Sequence, residues 1–385
     1  MAGQAGEQTD EAAVRQTSER TIVIGGGIAG AAAAAALARE GSAGPHDPPR
    51  ELLLLEAATR LGAHSSGRSA AIFRPAIDAP LTRALALRTL AWLAAAEARP
   101  LGRRLLDPVG LVVLEGTSLD APLPAWAEDL TARGLAEPLD AAGLAARAPH
   151  FVPRGARAWW LPQAGRVAAH ALVQTLVQEA ERRGARVETG TRVERLLCDD
   201  GRVHGVLLAD GTRIAADTVV LAAGAWSRAL GAVVGAGAEL ATSTRHLFVA
   251  RPTGAVEPRL PVLWDDAAGF YVRPYDGELL VCACDQEPAD ADAIAPRYAV
   301  DPAVERRALE LAEAHLAPLG GPLALARGWR GLRDVGAGDT PVLGPDPRVP
   351  GLAWCAGLGG HGFSIGVAAG EEAARQILAE RALRR

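Results

Sequence analysis

Residues 21–30 read Thr-Ile-Val-Ile-Gly-Gly-Gly-Ile-Ala-Gly. Ile22, Val23 and Ile24 make a short β-branched run, the pattern of a strand buried in a parallel sheet. Gly25, Gly27 and Gly30 follow in G-x-G-x-x-G spacing, and Ala31 to Arg39 is an alanine-rich stretch of high helix propensity. Strand, glycine turn and helix form the context in which this spacing carries meaning. Gly25 permits the tight turn, Gly27 lets the backbone approach a pyrophosphate, and Gly30 lets helix and strand pack closely. Ile28 and Ala29 lie in the same turn, where free N–H groups and the positive end of the helix dipole await an anion.

A glycine turn alone also fits a loop that binds nothing. The second half of the signature is what argues against that. Leu52 to Leu55 reads as another buried strand, and it ends in Glu56, an acid placed to accept hydrogen bonds from ribose hydroxyls. Glu56 lies 26 residues after Gly30, more than the usual spacing of about 20. The stretch from Gly41 to Arg50, with its prolines and glycines, reads as a loop inserted between helix and strand. Together the two halves predict a dinucleotide-binding domain.

The chain has 385 residues, enough for two domains with their own cores. Its 49% hydrophobic and 22% charged residues are ordinary for a soluble protein. The formal net charge of −5 gives no nucleic-acid footprint. There is no lysine, so all 40 basic residues are arginine and no lysine can serve in catalysis. The 4 cysteines, Cys198, Cys282, Cys284 and Cys355, form no C-x-x-C pair and no metal-ligand spacing. They read as free thiols of a reducing compartment, so a cytoplasmic location and no metal are expected. Residues 1–19 are polar, with no apolar core of signal-peptide length, and read as a disordered tail. The apolar stretch Ile28 to Leu37 is too short for a transmembrane segment.

Along the chain, the small-residue loop Leu61-Gly-Ala-His-Ser-Ser-Gly-Arg-Ser-Ala-Ala follows Glu56. Helices are expected over Leu81 to Ala98, His170 to Arg183, Val304 to Leu316 and about Ile365 to Arg381. Strands are expected at Val109 to Leu114, Arg186 to Thr189, Thr191 to Leu197, Thr218 to Leu221, Leu247 to Ala250, Phe270 to Val272, Leu279 to Cys284, Gly328 to Arg333, Pro341 to Gly344 and Leu352 to Ala356. Val203 to Leu208 and Thr212 to Ile214 read as a hairpin turning at Asp210-Gly211. This order suggests an α/β fold, mixed α and β, assembled from discontinuous segments.

At this point the chain resembles the FAD-dependent amine oxidoreductases of the D-amino-acid oxidase type, which include glycine and sarcosine oxidases and bacterial D-amino-acid dehydrogenases. Local similarity to bacterial D-arginine dehydrogenase lies in the loop from His64, in Phe270-Tyr-Val-Arg-Pro274 and in Trp329 to Arg333. Gly359-Gly-His-Gly-Phe363 is similar to sarcosine oxidase. The resemblance covers nearly everything from Arg20 onward. It implies a Rossmann-like FAD-binding domain over 20–75, 155–240 and 335–385, with an inserted antiparallel-sheet substrate domain over 76–154 and 241–334.

The resemblance further implies where FAD would lie. Adenosine would sit at Glu56 and Val193, with the pyrophosphate at Gly25 to Gly30. The ring would rest between the loop carrying His64, Ser65, Ser66, Arg68 and Ser69 and the loop Gly359, Gly360, His361, Gly362 and Phe363. Ala223 and Gly224 belong to the same set. Arg333 matches the arginine that pairs with the substrate carboxylate, a planar fork suited to that task. Most arginines, though, are solvated surface residues. Tyr271 matches a tyrosine that reaches the same carboxylate, although strands favour tyrosine anyway. His64 and His361 flank the flavin and could orient the amine or the ring, or simply be structural. Arg245 aligns loosely with a further substrate-domain arginine, and Phe73 stands where that enzyme has a tyrosine. No acid clearly matches the one that holds the guanidinium of D-arginine.

The implied activity is oxidative deamination of an amino acid, with D-amino acids the first reading. Hydride would pass from the α-carbon to flavin N5, and the imine would hydrolyse to a 2-oxo acid and ammonia. A glycine- or sarcosine-type secondary-amine oxidase and a non-catalytic FAD-binding protein are the alternatives. No cysteine is near Arg333 in sequence, so the FAD is expected to be non-covalent. The partner is a small-molecule amino acid or amine, and the electron acceptor stays open among oxygen, quinone or another. The tRNA-wobble-uridine oxidoreductases share this fold, but the acidic net charge argues against a nucleic-acid partner.

Overall fold

The computed structural model describes residues 19–40, 50–97, 104–116, 118, 122–152, 157–294, 298–316 and 323–384. The expected tail lies outside the described residues except for Glu19, and the expected inserted loop except for Arg50. Glu19, expected within the tail, opens strand β1 (Glu19–Ile24), and Arg50 opens β2 (Arg50–Glu56). The two strands pair in parallel from Glu19 opposite Arg50 to Ile24 opposite Leu55.

β1 lies within a six-stranded sheet in the order Val342–Pro345, Leu352–Ala356, Thr218–Leu221, β1, β2, Arg186–Thr189. Only the edge strand Val342–Pro345 runs antiparallel. Alternation along the strands sorts the side chains between two layers. Val23, Leu54, Val220 and Ala353 face helices, in one core with Ala33, Ala34 and Ala374. Ile22, Ile24, Leu53, Leu55, Val219 and Leu221 face a three-stranded antiparallel sheet, Val193–Asp199, Arg202–Leu208 and Arg213–Ala215.

Helix α1 (Ile28–Glu40) is alanine-rich because it has no free side. Ala31 to Ala36 are each at most 2% exposed. The C-terminal helix Gly362–Arg384 presses against α1, and it does so through missing side chains. A Cβ on Gly370 would fall 2.4 Å from the carbonyl carbon of Ala32, and one on Gly366 2.7 Å from Ile28 Cγ1. Ala169–Arg182 packs on α1 as well, its Leu172, Val173 and Leu176 sharing a core with Ala31 and Ala35.

The second body is an eight-stranded sheet in the order Ala324–Gly336, Leu240–Arg251, Glu278–Cys282, Phe270–Tyr275, Val262–Asp265, Leu111–Glu115, Arg157–Leu161, Glu137–Leu139. Pairing is antiparallel except between Val262–Asp265 and Leu111–Glu115. Phe248, Ala250, Val272 and Leu279 on one face pack with Ala308 and Ala312 of the helix Pro302–His315. Leu247, Val249, Tyr271, Leu280 and Cys282 form the core of the other face.

The structure departs from the sequence reading in several places. The strand expected at Leu247 to Ala250 begins at Leu240, because Leu240–Arg251 pairs with Ala324–Gly336 along its whole length. Its first half is polar and carries no apolar alternation, so only the partner strand reveals it. Arg157–Leu161 falls within the expected FAD-binding segment 155–240 but belongs to the eight-stranded sheet. Helix α2 (Pro80–Glu97) falls within the expected substrate-domain segment 76–154. Its Leu85 and Ala86 instead share a core with Ile365, Ala368 and Ala369, and Ala368 N–H donates to Thr89 Oγ1 at 3.2 Å. A division by contiguous segments cannot register such non-local packing.

The glycine–alanine contact between α1 and the C-terminal helix gives a direct test. In an open helix, Gly→Ala gains about 1 kcal/mol from propensity. At Gly370 the added Cβ meets backbone that cannot rotate away. Gly370→Ala is therefore expected to destabilise by about 1–3 kcal/mol, and Gly370→Val by more. Urea unfolding of the two variants measures it; a stabilised Gly370→Ala would show that the helices can move apart freely.

Candidate active site

A cavity of about 1090 Å³ is lined by residues of both large sheets and of the loops that join them. Gly25, Gly27, Ile28, Ala29, Glu56, Val193, Ala223 and Gly224 line it on the six-stranded side. Ser65, Ser66, Arg68, Ser69, Gly360, Gly362 and Phe363 contribute from the two loops, and His64, His361, Tyr271 and Arg333 line it too. Gly30 and Gly359 are not on its wall, and each has a different job.

Gly25 has φ of +110°, and a Cβ there would fall 2.4 Å from the Ala222 carbonyl oxygen. A Cβ on Gly30 would fall 1.8 Å from the carbonyl oxygen of Gly25. The helix therefore starts directly over the strand end, as the motif requires. Ile28 N–H donates to Ser66 Oγ at 3.0 Å, which ties the second loop to the start of α1. Glu56 is buried, and its carboxylate accepts N–H bonds from Gly26 and from Ala58, both at 2.7 Å. Each oxygen keeps a further lone pair for a ribose hydroxyl. A glycine cradle at a helix N-terminus, an acid at the end of β2 and a long cavity are a donor and acceptor set that fits FAD.

The loop from His64 is a single helical turn, with Arg68 N–H donating to His64 O at 3.0 Å. Trp329 Nε1–H donates to Arg68 O at 2.9 Å, which fixes the turn to the eight-stranded sheet. His64 Nδ1 lies 2.6 Å from the Tyr298 hydroxyl, and its ring packs 4.7 Å from that of Trp226. Burial holds the pKa of His64 below the usual histidine value, against the pull of Glu56, so the ring is neutral at neutral pH. The Arg68 guanidinium lies 3.7 Å over the Tyr298 ring. Phe73 is fully buried in the core and does not line the cavity.

At the other end, Arg333 donates to the Gly359 carbonyl oxygen and, at 3.4 Å, to Gln286 Oε1. Gly360 has φ of +81°, and a Cβ on it would collide with the Arg333 guanidinium at 2.1 Å. The glycine loop thus makes the bed on which Arg333 lies. Burial and the neighbouring Arg245 lower the Arg333 pKa to about 10, so it remains charged at neutral pH. Burial lowers that of His361 to about 3, helped by the Arg74, Arg333 and Arg245 guanidiniums. His361 is therefore neutral. Tyr271 is buried, stacks 4.3 Å from the Trp264 ring, and burial raises its phenol pKa well above the usual value.

Several cavity residues had no signal in the sequence. Arg74 pairs with Asp266 and lies 4.5 Å over Trp264. Glu115, outside the lining, sits beside Asp266; burial and that neighbour push its pKa up to about 8. Cys284 lines the cavity, although it is far from Arg333 in sequence. Distance along the chain was a poor measure of distance from Arg333. Among the described residues no cluster of His, Cys, Asp and Glu could hold a metal ion. Among them also, no helix is long and apolar enough to cross a membrane.

Residues 20–376 match the family described as DAO, FAD dependent oxidoreductase. The chain belongs to that family, and the family is FAD-dependent. A bifunctional protein of tRNA 5-methylaminomethyl-2-thiouridine biosynthesis from Verminephrobacter eiseniae is 32% identical over 96% of this chain and 62% of its own length. A D-amino acid dehydrogenase from Sinorhizobium medicae is 32% identical over 49% of this chain and 43% of its own length. The chain thus spans less than two thirds of the length of these relatives. Among solved structures, glycine oxidase from Geobacillus kaustophilus superposes with a TM-score of 0.74 at 24% identity over 94% of this chain and 95% of that one. L-proline dehydrogenase from P. horikoshii gives 0.80 at 19% identity, over 94% of each chain. At these identities the likeness shows the shared fold.

The bonds of Glu56 set what its removal should do. Glu56→Ala deletes an acceptor for ribose and also strands the buried Gly26 N–H. FAD affinity is expected to fall at least about tenfold, and the apoprotein to lose about 1–3 kcal/mol of stability. Flavin fluorescence titration and urea unfolding read the two effects separately. Lost affinity with unchanged stability would mean that Gly26 N–H finds another partner.

Proposed function

We propose that this chain oxidises an amino acid or amine, and that Arg333 holds the carboxylate beside the reacting amine. The observation that carries the reading is the placement of Arg333. Its guanidinium lies at the cavity wall, bedded on Gly359 and Gly360, with no carboxylate partner among the described residues. A charged fork presented to a cavity without its own anion is a receptor for a carboxylate. Tyr271, kept protonated by burial, is a hydroxyl donor on the same wall.

FAD, when bound, supplies the acceptor for the hydride leaving the substrate carbon. Gly25, Gly27 and the start of α1 would hold its phosphates, and Glu56 its ribose. The protein's part is to bind, orient and keep the amine neutral. His64 is a neutral imidazole whose Nδ1 is engaged by Tyr298, which leaves Nε2 for a proton from the substrate amine. D-amino acids are the substrates to test first, with glycine and sarcosine as comparators. The choice of a free amino acid over a tRNA-borne amine rests on the net charge of −5.

FAD is held without a covalent bond in this reading. Donation of its S–H to Cys282 Sγ, together with burial, raises the Cys284 thiol well above its usual pKa, so it stays protonated and a poor nucleophile. Acid precipitation is expected to leave the yellow colour in the supernatant. Colour retained in the washed pellet would point to a flavin–cysteine bond.

Arg333 decides the function. Arg333→Ala is expected to lower kcat/KM for an amino acid by on the order of 10²- to 10³-fold, with Arg333→Lys between, because the ammonium lacks the fork. An amine without a carboxylate should react poorly with wild type and be indifferent to the change. Equal losses for both substrates would make Arg333 structural.

A further inference from the structure

We propose that the substrate carries a second carboxylate, bound by Arg245, while Arg333 takes the carboxylate beside the amine. This deepens the function proposed above and rests on it. Arg245 and Arg333 stand on the adjacent strands Leu240–Arg251 and Ala324–Gly336, where Arg245 opposes Gly331 and Arg333 opposes Ser243. They are diagonal neighbours on one face of the sheet, about 7–8 Å apart along the backbone. Both line the cavity. Gly331 presents no side chain opposite Arg245.

Neither arginine has a carboxylate partner among the described residues. Arg333 donates to one carbonyl and one side-chain amide. Arg245 Nη1 has only Cys282 Sγ, at 4.0 Å, and its buried Nε has no acceptor. Two acids nearby are engaged elsewhere. Asp266 binds Arg74 and accepts from Trp264 Nε1. Asp285 holds the His246 ring at 2.7 Å and its backbone N–H at 2.8 Å. Asp334 pairs with neither arginine: its Oδ2 accepts from Gly357 N–H at 2.8 Å, and its buried Oδ1 has no partner.

An amino acid whose single carboxylate pairs with Arg333 alone leaves the Arg245 guanidinium without an anion. That guanidinium would stay unpaired in a site closing around substrate, a costly arrangement. A diacid pairs both, and their close diagonal spacing suits a short one: an acidic amino acid or an imino diacid. The rival anion is Cys282 itself, fully buried beside Arg245, which could compensate it by ionising.

The test uses the FAD-loaded protein and anaerobic bleaching of its absorbance. Both enantiomers of aspartate and glutamate, with iminodiacetate, are compared with alanine, leucine and sarcosine. Diacids are expected to exceed monoacids in kcat/KM by on the order of 10²-fold. Arg245→Leu should abolish that preference, lowering kcat/KM for diacids by on the order of 10²-fold more than for monoacids. A second readout needs neither variant nor turnover. Malonate and succinate should perturb the flavin spectrum at concentrations on the order of 10²-fold lower than acetate and propionate. Three results overturn the inference: monoacids equal or better in wild type, which assigns the counter-charge to Cys282; equal loss of both classes in Arg245→Leu, which makes the arginines share one carboxylate; or no advantage of succinate over propionate. If no compound of either class bleaches the flavin, the function proposed above fails first, and this inference with it.

Discussion

The nucleotide-binding half depends on backbone meeting backbone. The Gly25 carbonyl lies where any side chain on residue 30 would have to be, and the Ala222 carbonyl lies where one on residue 25 would be. These contacts set the start of α1 over the end of β1. The same device recurs where the C-terminal helix crosses α1 at Gly366 and Gly370. Alanine and glycine are therefore a packing requirement in this region. A helix made of larger residues could not lie between two other helices and still direct its N-terminus at the cavity.

Close packing also explains how a chain so rich in arginine arranges positive charge. Many guanidiniums among the described residues have local partners, such as Arg83 with Asp129 and with the carbonyl of Ile77. Arg273, buried, donates to the carbonyls of Ala70 and Pro274. At the cavity the rule changes. Arg74 has Asp266, but Arg245 and Arg333 face the space with carbonyl, amide and thiol neighbours. The neutral His361 sits among all three guanidiniums and adds no charge of its own. A local excess of positive potential is thus built into one end of the cavity, with polar groups that can hold it in place but cannot cancel it.

Legibility followed the range of the interactions. The turn at Gly25 to Gly30, Glu56 at the end of β2, the Asp210-Gly211 hairpin and most helices are set by local sequence, and the structure has them in place. The polar start of Leu240–Arg251 was invisible because its partner comes some ninety residues later, and a strand without alternation has no local signature. The site divides the same way. Arg333 was found because its strand carries a recognisable run, Trp329 to Arg333. Tyr298, which holds His64, and Asp266, which holds Arg74, stand in loops with no pattern of their own.

The sequence by itself determined that the chain folds around a dinucleotide turn, and the resemblance of its motifs set the family and the cofactor. Glycine spacing and β-branched runs act over a few residues and need no partner to be read. The tertiary structure alone decided which charges are left over. Whether a guanidinium is spent or available depends on what every other strand and loop brings within about 4 Å of it. No property of the residues flanking Arg245 says that it lacks a carboxylate partner; the engagement of Asp266 and Asp285 elsewhere does.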